Sequence, residues 1–230
     1  MWVHLSDDAW SKFKNKRKLN IENTSSAQVE TGSGSNLELN KGDNFIFGID
    51  VSRSMDMGDC PNGMSRIEFL KEAVILFCNE ASKWDTDGID VLTFGHKITP
   101  YLGITSDKAS EIIGKLTANE GTTDTAGVIR EAYKLHKAAG KEQSILFVAT
   151  DGEPSDREAM KQAIIDITND VKDEHEFNIS ILTVGRISEG LKAFLVGLDD
   201  DLKGAKYDIV DVKELESVDF MTAFDGALHD

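Results

Sequence analysis

Three side chains that carry oxygen atoms stand at alternate positions just after an apolar run of the sequence. Asp50, Ser52 and Ser54 form the pattern D-x-S-x-S at the end of the stretch NFIFGID. Residues two apart project to the same side of an extended segment, so one short loop can aim all three at one point. Carboxylate and hydroxyl oxygens are the ligands that Mg²⁺, Mn²⁺ and Ca²⁺ prefer. The spacing therefore indicates a site for a hard divalent cation.

Two other stretches carry polar side chains suited to the same chemistry. Asp151 stands just past the apolar run SILFVAT, and the stretch NEGTTDTAG comes directly before a predicted helix. None of the three stretches contains a histidine or a cysteine, and no Cys/His set in the chain has zinc spacing. The loop after the first motif adds Asp56 and Asp59, which we interpret as solvated residues, although they could also tune the site or bind a second ion.

Alternating strands and helices must position these stretches. Apolar runs predict strands, which in chain order are NFIFGID, GIDVLTFG, KITPYLG, SILFVATDG, FNISILTVG and a short one near Tyr207–Val210. Helical periodicity and capping patterns predict the helices, which run from Ser65 (a capping box with Glu68), over Ser106–Leu116, over Asp124–Ala139, from Ser155 (a capping box with Glu158) to about Val171, from about Ser188 and from about Ser217.

This alternation predicts an α/β fold with a doubly wound, mostly parallel central sheet, one antiparallel edge strand and helices on both faces. Pro100 places the KITPYLG strand at an edge, because proline cannot donate a hydrogen bond to a neighbouring strand. Ligands of such sheets bind at the carboxyl ends of the strands. The polar residues at the strand ends are therefore expected to meet at one rim of the sheet.

Charge limits the classes of ligand. The 230 residues carry a formal net charge of −16, with a sequence pI of about 4.7. This argues against nucleic acid or an anionic membrane as a partner, because phosphate groups bind to a cationic field. An acidic surface suits cations or basic partners, although solubility alone also accounts for it.

Residues 1–43 differ in composition from the rest of the chain. They hold a basic cluster and then a polar stretch rich in Gly and Ser, which predicts an arm and a flexible linker ahead of one domain over residues 44–230. Neither a signal peptide nor a run long enough for a transmembrane helix is seen, so a cytoplasmic location is expected. Cys60 and Cys78 imply no disulfide framework; Cys78 is expected in the core, and Cys60 in a loop that could expose it.

At the polar stretches the sequence resembles the von Willebrand factor type A (VWA) domain. That family has a metal-ion-dependent adhesion site with the pattern D-x-S-x-S, a Thr ahead of a helix, and an Asp in a T-D-G segment. The matching residues here are Asp50, Ser52, Ser54, Thr123 in GTTDTAG and Asp151 in ATDGEPSD. The first Thr of a T-x-T pair is the ligand in the family pattern, which points to Thr123. The resemblance covers residues from about 44 to 228.

The resemblance implies a role for each residue of the site. Ser52, Ser54 and Thr123 would coordinate Mg²⁺, Mn²⁺ or Ca²⁺ directly. Asp50 and Asp151 would act largely through bound water and through hydrogen bonds to the serines. Hydroxyl ligands leave the ion with an open position that a carboxylate of a partner can fill.

The function implied by the resemblance is a metal-dependent protein–protein interaction module that is not an enzyme. The layout is similar to that of intracellular prokaryotic VWA proteins, which implies a partner protein presenting an acidic residue, such as an AAA+ ATPase or a component of a stress or defence system. Neither nucleic acid nor a membrane is expected as a partner. The resemblance also implies that the last helix shifts when a ligand carboxylate binds.

Two other interpretations remain open. The first is a Mg²⁺-dependent phosphotransfer or hydrolytic enzyme on a similar sheet; Ser52 stands where a D-x-D enzyme pattern would need its second aspartate, and no basic residue is an evident phosphate ligand. The second is a structural domain with a vestigial site, since each polar residue alone would also fit a turn or a helix cap.

Overall fold

The computed structural model describes residues 43–85 and 87–215, and six strands in this part of the chain form a single sheet. The strands are β1 (Asn44–Asp50), β2 (Ile89–Phe94), β3 (Ile98–Ile104), β4 (Ser144–Thr150), β5 (Phe177–Thr183) and β6 (Val210–Glu214). Their order across the sheet is β3-β2-β1-β4-β5-β6, and every neighbouring pair is parallel except β2 and β3. The predicted fold class, including the antiparallel edge strand that contains Pro100, is confirmed.

Helices cover both faces of the sheet. They are α1 (Arg66–Ala81), α2 (Ser106–Gly114), α3 (Thr125–Ala139), α4 (Arg157–Asp170) and α5 (Glu189–Asp199). Helices α1 and α2 pack in one hydrophobic cluster, and α3, α4 and α5 pack in a second cluster on the opposite face. Phe45 and Phe47 of β1 belong to the first cluster, whereas Ile46 between them belongs to the second. Side chains on both faces of a strand are thus buried, which explains the continuous apolar runs.

The order of the strands reverses beside β1. This strand pairs with β2 on one side and with β4 on the other, although β4 comes much later in the chain. Ile49 of β1 pairs with Ala149 of β4, so the two strands end side by side at Asp50 and Thr150. A reversal of this kind is where doubly wound sheets bind their ligands. The topology therefore brings the first and last polar stretches to one edge of the sheet.

Several predicted elements differ in detail from the structure. The last strand is Val210–Glu214 instead of Tyr207–Val210. Helix α4 is capped by Asp156, whose side chain accepts a hydrogen bond from the amide of Ala159, so the predicted capping box of Ser155 and Glu158 is wrong. Cys60 is buried, like Cys78.

Two expectations fall outside the described residues. They are the arm and linker within residues 1–43, of which only Asp43 is described, and the final helix from Ser217 with its expected shift. Among the residues that are described, no helix combines the length and the apolar character needed to cross a membrane.

Candidate metal centre

Asp50 and the two serines of the D-x-S-x-S motif are brought together by a turn at the end of β1. Asp50 is fully buried, and its Oδ1 accepts a hydrogen bond of 2.8 Å from the amide of Ser52. The chain then enters a short 3-10 helix, Arg53–Asp56. The Oγ atoms of Ser52 and Ser54 lie 3.1 Å apart. The two hydroxyls meet, as their spacing predicts, but a helical turn and not extended alternation brings them together.

The second oxygen of Asp50 is held by the neighbouring strand. Thr150, at the end of β4, donates a hydrogen bond of 2.6 Å from its Oγ1 to Oδ2 of Asp50. Burial raises the pKa of Asp50 to about 6, while the hydrogen bonds from Thr150 and Ser52 oppose that rise and the nearby charge of Asp151 adds to it. Sequence reasoning missed Thr150, because it reads as the last residue of an apolar strand.

Thr123 is tied to the loop that follows β4. Its amide donates a hydrogen bond of 2.9 Å to Oγ of Ser155, and the amide of Ser155 donates one of 3.0 Å to the carbonyl oxygen of Thr123. Thr123 is buried. Two residues later, Oγ1 of Thr125 is buried and has no hydrogen-bond partner in the described part of the chain. The choice of Thr123 as the ligand therefore stays a prediction.

Backbone hydrogen bonds complete the link between the first and middle stretches. The amide of Arg53 donates to the carbonyl oxygen of Glu120 at 2.8 Å, and the amides of Asn119 and Glu120 donate to the carbonyl oxygen of Val51 at 3.1 Å. Together with the bonds from Ser155 and Thr150, these contacts join all three predicted stretches at the carboxyl edge of the sheet.

Asp151 is held on one side by an arginine. Its Oδ2 accepts a hydrogen bond of 3.0 Å from Nη1 of Arg66, the first residue of α1. Its Oδ1 is buried and finds no hydrogen-bond partner among residues 43–85 and 87–215. A buried, unpaired carboxylate oxygen costs free energy unless a ligand or an ion satisfies it.

Arg66 also binds Asp59 with two parallel hydrogen bonds, from Nε to Oδ1 at 2.8 Å and from Nη2 to Oδ2 at 2.6 Å. The hydrogen bonds from Arg66 lower the pKa of Asp59 to about 2, since they favour the charged carboxylate. Asp59 is therefore part of the site's surroundings and not merely a solvated loop residue, whereas Asp56 is exposed. Arg66 was missed, because in the sequence it reads only as the residue after a helix cap.

The donor chemistry fits a hard divalent cation. The five predicted residues supply hydroxyl and carboxylate oxygens, and one of those oxygens, Oδ1 of Asp151, is buried without a partner among the residues described. The described residues hold no cluster of three or more His, Cys, Asp or Glu side chains placed to bind a metal. A site at this edge would therefore depend on serine and threonine hydroxyls, which suit Mg²⁺ or Mn²⁺ better than a soft metal.

Comparison with protein families gives one match. Residues 45–154, a little under half of the 230-residue chain, match the family model for the von Willebrand factor type A domain. This range includes Asp50, Ser52, Ser54, Thr123 and Asp151. None of the curated proteins compared with the chain matches it significantly.

Solved structures of similar fold come from several organisms. A manganese-loaded TRAP protein of Plasmodium vivax has a TM-score of 0.61 at 12% identity, over 84% of this chain and 75% of that one. A von Willebrand factor type A protein of Catenulispora acidiphila has a TM-score of 0.58 at 18% identity, over 81% of this chain and 43% of that one. The PilB minor pilin of Streptococcus sanguinis has a TM-score of 0.56 at 12% identity, over 87% of this chain and 62% of that one.

These identities establish similarity of fold alone, and the chain spans less than half of the Catenulispora protein. Together with the family match, they support a VWA domain in this protein.

Proposed function

Since a VWA domain is supported over the residues that form the site, we propose that this protein binds a carboxylate of another protein through a divalent cation. The observation that carries the proposal is that Oδ1 of Asp151, at the same edge of the sheet as the Ser52–Ser54 hydroxyl pair, is buried without a hydrogen-bond partner in the described part of the chain. A buried carboxylate oxygen without a partner is typical of a binding site and costs stability in a purely structural domain.

The contacts of the two aspartates differ, and they support an indirect role for Asp50. Both oxygens of Asp50 already accept hydrogen bonds, from Ser52 and Thr150, so this residue orients the loop and adds negative charge. Asp151 has one oxygen bound to Arg66 and one left for the site. Ser52, Ser54 and Thr123 are then the residues that would hold the cation. The cation would supply a Lewis-acidic position for the partner's carboxylate.

The class of ion and partner is part of the proposal. A related fold has been solved with manganese, which supports a divalent cation, and we propose Mg²⁺ or Mn²⁺, with Ca²⁺ as the third candidate. Three further points rest on the resemblance of the sequence and stay predictions. They are a partner that is an AAA+ ATPase or a component of a stress or defence system, membership of the intracellular prokaryotic type of VWA protein, and a cytoplasmic location.

The enzymatic alternative finds less support. A phosphotransfer enzyme would need a carboxylate oxygen of Asp50 free to attack, but Asp50 is fully buried and both its oxygens accept hydrogen bonds. A phosphatase screen with Mg²⁺ or Mn²⁺ tests this alternative directly. Turnover that Asp50→Ala abolishes would establish an enzyme in place of an interaction module.

Calorimetric titration tests the metal site itself. The wild-type chain should bind Mg²⁺ or Mn²⁺, and Ser52→Ala and Asp151→Ala should each weaken binding at least about tenfold while the protein stays folded. Ser82→Ala supplies a matched control, because Ser82 is exposed at the far end of α1 and its Oγ donates a hydrogen bond to the carbonyl oxygen of Asn79. If the wild type binds none of Mg²⁺, Mn²⁺ and Ca²⁺, or if Ser52→Ala binds the ion as tightly as the control, the proposal is wrong.

A partner then has to be found. Proteins captured from the source cells on the wild-type chain in Mg²⁺ should be released by a chelator and should not be retained by Asp151→Ala. Capture that ignores both the chelator and the substitution would contradict the use of a cation in binding.

A further inference from the structure

Arg66 links three separate segments at the edge of the candidate site. It is 6% exposed, and its guanidinium group donates to Asp59 twice, to Asp151 once and to the carbonyl oxygen of Arg186 at 3.4 Å. The loop after β1, the end of β4 and the loop after β5 thus converge on one side chain. A buried guanidinium with this number of partners has a single defined position.

The backbone around Arg66 is shaped to receive the guanidinium group. A Cβ atom added to Gly185 would lie 2.2 Å from Nε of Arg66, so a side chain at that position would displace the arginine. The amide of Arg186 donates a hydrogen bond of 3.2 Å to Oδ2 of Asp59, which holds the second carboxylate in place. Both the glycine and the amide therefore favour the observed pairing.

The pairing divides the two oxygens of Asp151. Oδ2 is bound to Arg66, whereas Oδ1 lies buried and without a partner in the described structure. Asp151 is 5% exposed, so water cannot freely solvate the bare oxygen. The arginine thus satisfies one oxygen of this carboxylate and leaves the other as a buried oxygen that no described residue satisfies.

The charges of Arg66, Asp59 and Asp151 also affect how strongly the site attracts a cation. One guanidinium group faces two carboxylates, with bidentate contact to Asp59 and a single hydrogen bond to Asp151. The positive charge of Arg66 reduces the negative charge that Asp151 offers to a cation, and Asp59 moderates that reduction by occupying most of the guanidinium. Charges this close and this shielded from water interact strongly.

We propose that Arg66 limits the cation affinity of the site: it binds Oδ2 of Asp151 and keeps the charge of that carboxylate partly neutralised. Asp59 limits that neutralisation. This proposal rests on the proposed function, since it assumes a cation at the same edge. A partly neutralised site leaves the ion with a greater attraction for a partner's carboxylate.

Opposite effects of two substitutions test the assignment. In titrations of the full chain with Mg²⁺ and with Mn²⁺, R66Q should bind the ion about tenfold more tightly, because the positive charge of Arg66 no longer offsets the negative charge of Asp151. D59N should bind more weakly by a similar factor, because the whole charge of Arg66 then acts on Asp151. R66K keeps the charge without the bidentate geometry, and its affinity should fall between those of the wild type and R66Q.

The controls separate this proposal from a structural role and from the metal site itself. R130Q removes an exposed guanidinium that bonds the carbonyl oxygen of Ala159, so it should leave ion affinity unchanged. Weaker binding by R66Q, or a shift in the same direction for R66Q and D59N, would overturn the role of Arg66 while leaving the metal site intact. If R66Q fails to fold, D59N decides, since unchanged or tighter binding overturns the proposal. No binding by the wild type overturns the proposed function and this role together.

Discussion

Thr150 donates a 2.6 Å hydrogen bond from Oγ1 to Oδ2 of Asp50, although 100 residues separate them in the chain. The other oxygen of Asp50 accepts from the amide of Ser52 at 2.8 Å. The carboxylate is therefore fixed in position by the folded protein alone. Because the loop that carries Ser52 and Ser54 directly follows Asp50 in the chain, the two hydroxyls are held in place before any cation binds.

Replacing Thr150 by valine should destabilise the protein. Valine keeps the shape of the side chain but removes the donor, and Oδ2 of Asp50 is then left buried without a partner. The free energy of unfolding, measured by urea unfolding at neutral pH, should fall by about 1–3 kcal/mol. Thr150→Ser keeps the hydroxyl and should lose less than Thr150→Val. Equal stability of Thr150→Val and the wild type would show that this hydrogen bond contributes nothing.

Ser155→Ala should affect the site more than the fold. Ser155 is exposed, yet its Oγ accepts the amide hydrogen of Thr123 and so holds the loop that carries the predicted third hydroxyl ligand. Affinity for Mg²⁺ or Mn²⁺ should fall about tenfold, with little change in the free energy of unfolding. Calorimetry and urea unfolding on the same preparation measure the two quantities.

Thr105→Ala should affect the stability of the fold and not the site. Thr105 caps α2 by accepting from the amide of Lys108, and it follows β3, whose antiparallel direction places its end away from the carboxyl edge of the parallel strands. Its loss should lower the free energy of unfolding by about 0.5–2 kcal/mol and leave ion affinity unchanged. A similar loss of ion affinity in Thr105→Ala and Ser155→Ala would mean that the effect at Ser155 is not local.

The sequence predicts the fold and the three polar stretches because both depend on local patterns. Apolar runs identify the buried strands, Pro100 identifies the edge strand, and polar residues after a strand must lie at its carboxyl end. Thr150 and Arg66 depend instead on partners far along the chain, and no local pattern reports such a partner. Their hydrogen bonds reach residues 100 and 85 positions away.

Ser155 shows how a local pattern can mislead. With Glu158 three residues later it has the spacing of a capping box, but its hydroxyl accepts from Thr123, and Asp156 caps α4 instead. A tertiary hydrogen bond from Thr123 thus uses the hydroxyl of Ser155 that the local pattern assigned to the helix cap. Ser65 and Glu68 have the same spacing and do form a capping box, in which the hydroxyl of Ser65 bonds to Glu68.

Asp85→Asn should change how stability depends on pH. Burial raises the pKa of Asp85 to about 6 in the folded protein, against an ordinary value of 3.8. The folded state therefore binds more protons than the unfolded state between these values, so stability falls as pH rises from about 4 to 6 and stays low above that. Removing the carboxylate should raise stability at pH 7 and have little effect at pH 4.

Urea unfolding at several pH values measures this difference. An asparagine oxygen can still accept the hydrogen bond of 3.1 Å that the amide of Phe45 donates to Asp85, so the fold should survive. Asp166→Asn is the control, because Asp166 is exposed and the same charge is lost without any burial. A constant difference between Asp85→Asn and the wild type from pH 4 to 7 would contradict the prediction.

A buried polar cluster lies at the amino ends of the strands, opposite the candidate site. Nδ1 of His136 lies 2.8 Å from Oγ of Ser144, and its Nε2 lies 3.3 Å from Oε1 of Glu176. Ser144 begins β4, and Glu176 comes just before β5. Because parallel strands share one direction, both residues are at the edge away from Asp50 and Asp151. The cluster should therefore serve the fold and not the cation.

Ser144→Ala should lower the free energy of unfolding by about 1–3 kcal/mol, because it leaves a buried nitrogen of His136 without its partner. Ser180→Ala is the matched control: Ser180 is also buried in the sheet, but its hydroxyl has no hydrogen-bond partner within the described ranges, so its removal should be close to neutral or stabilising. Urea unfolding measures both, and titration with Mg²⁺ should find wild-type affinity in each. A loss of ion affinity in Ser144→Ala would show that the two edges of the sheet are coupled.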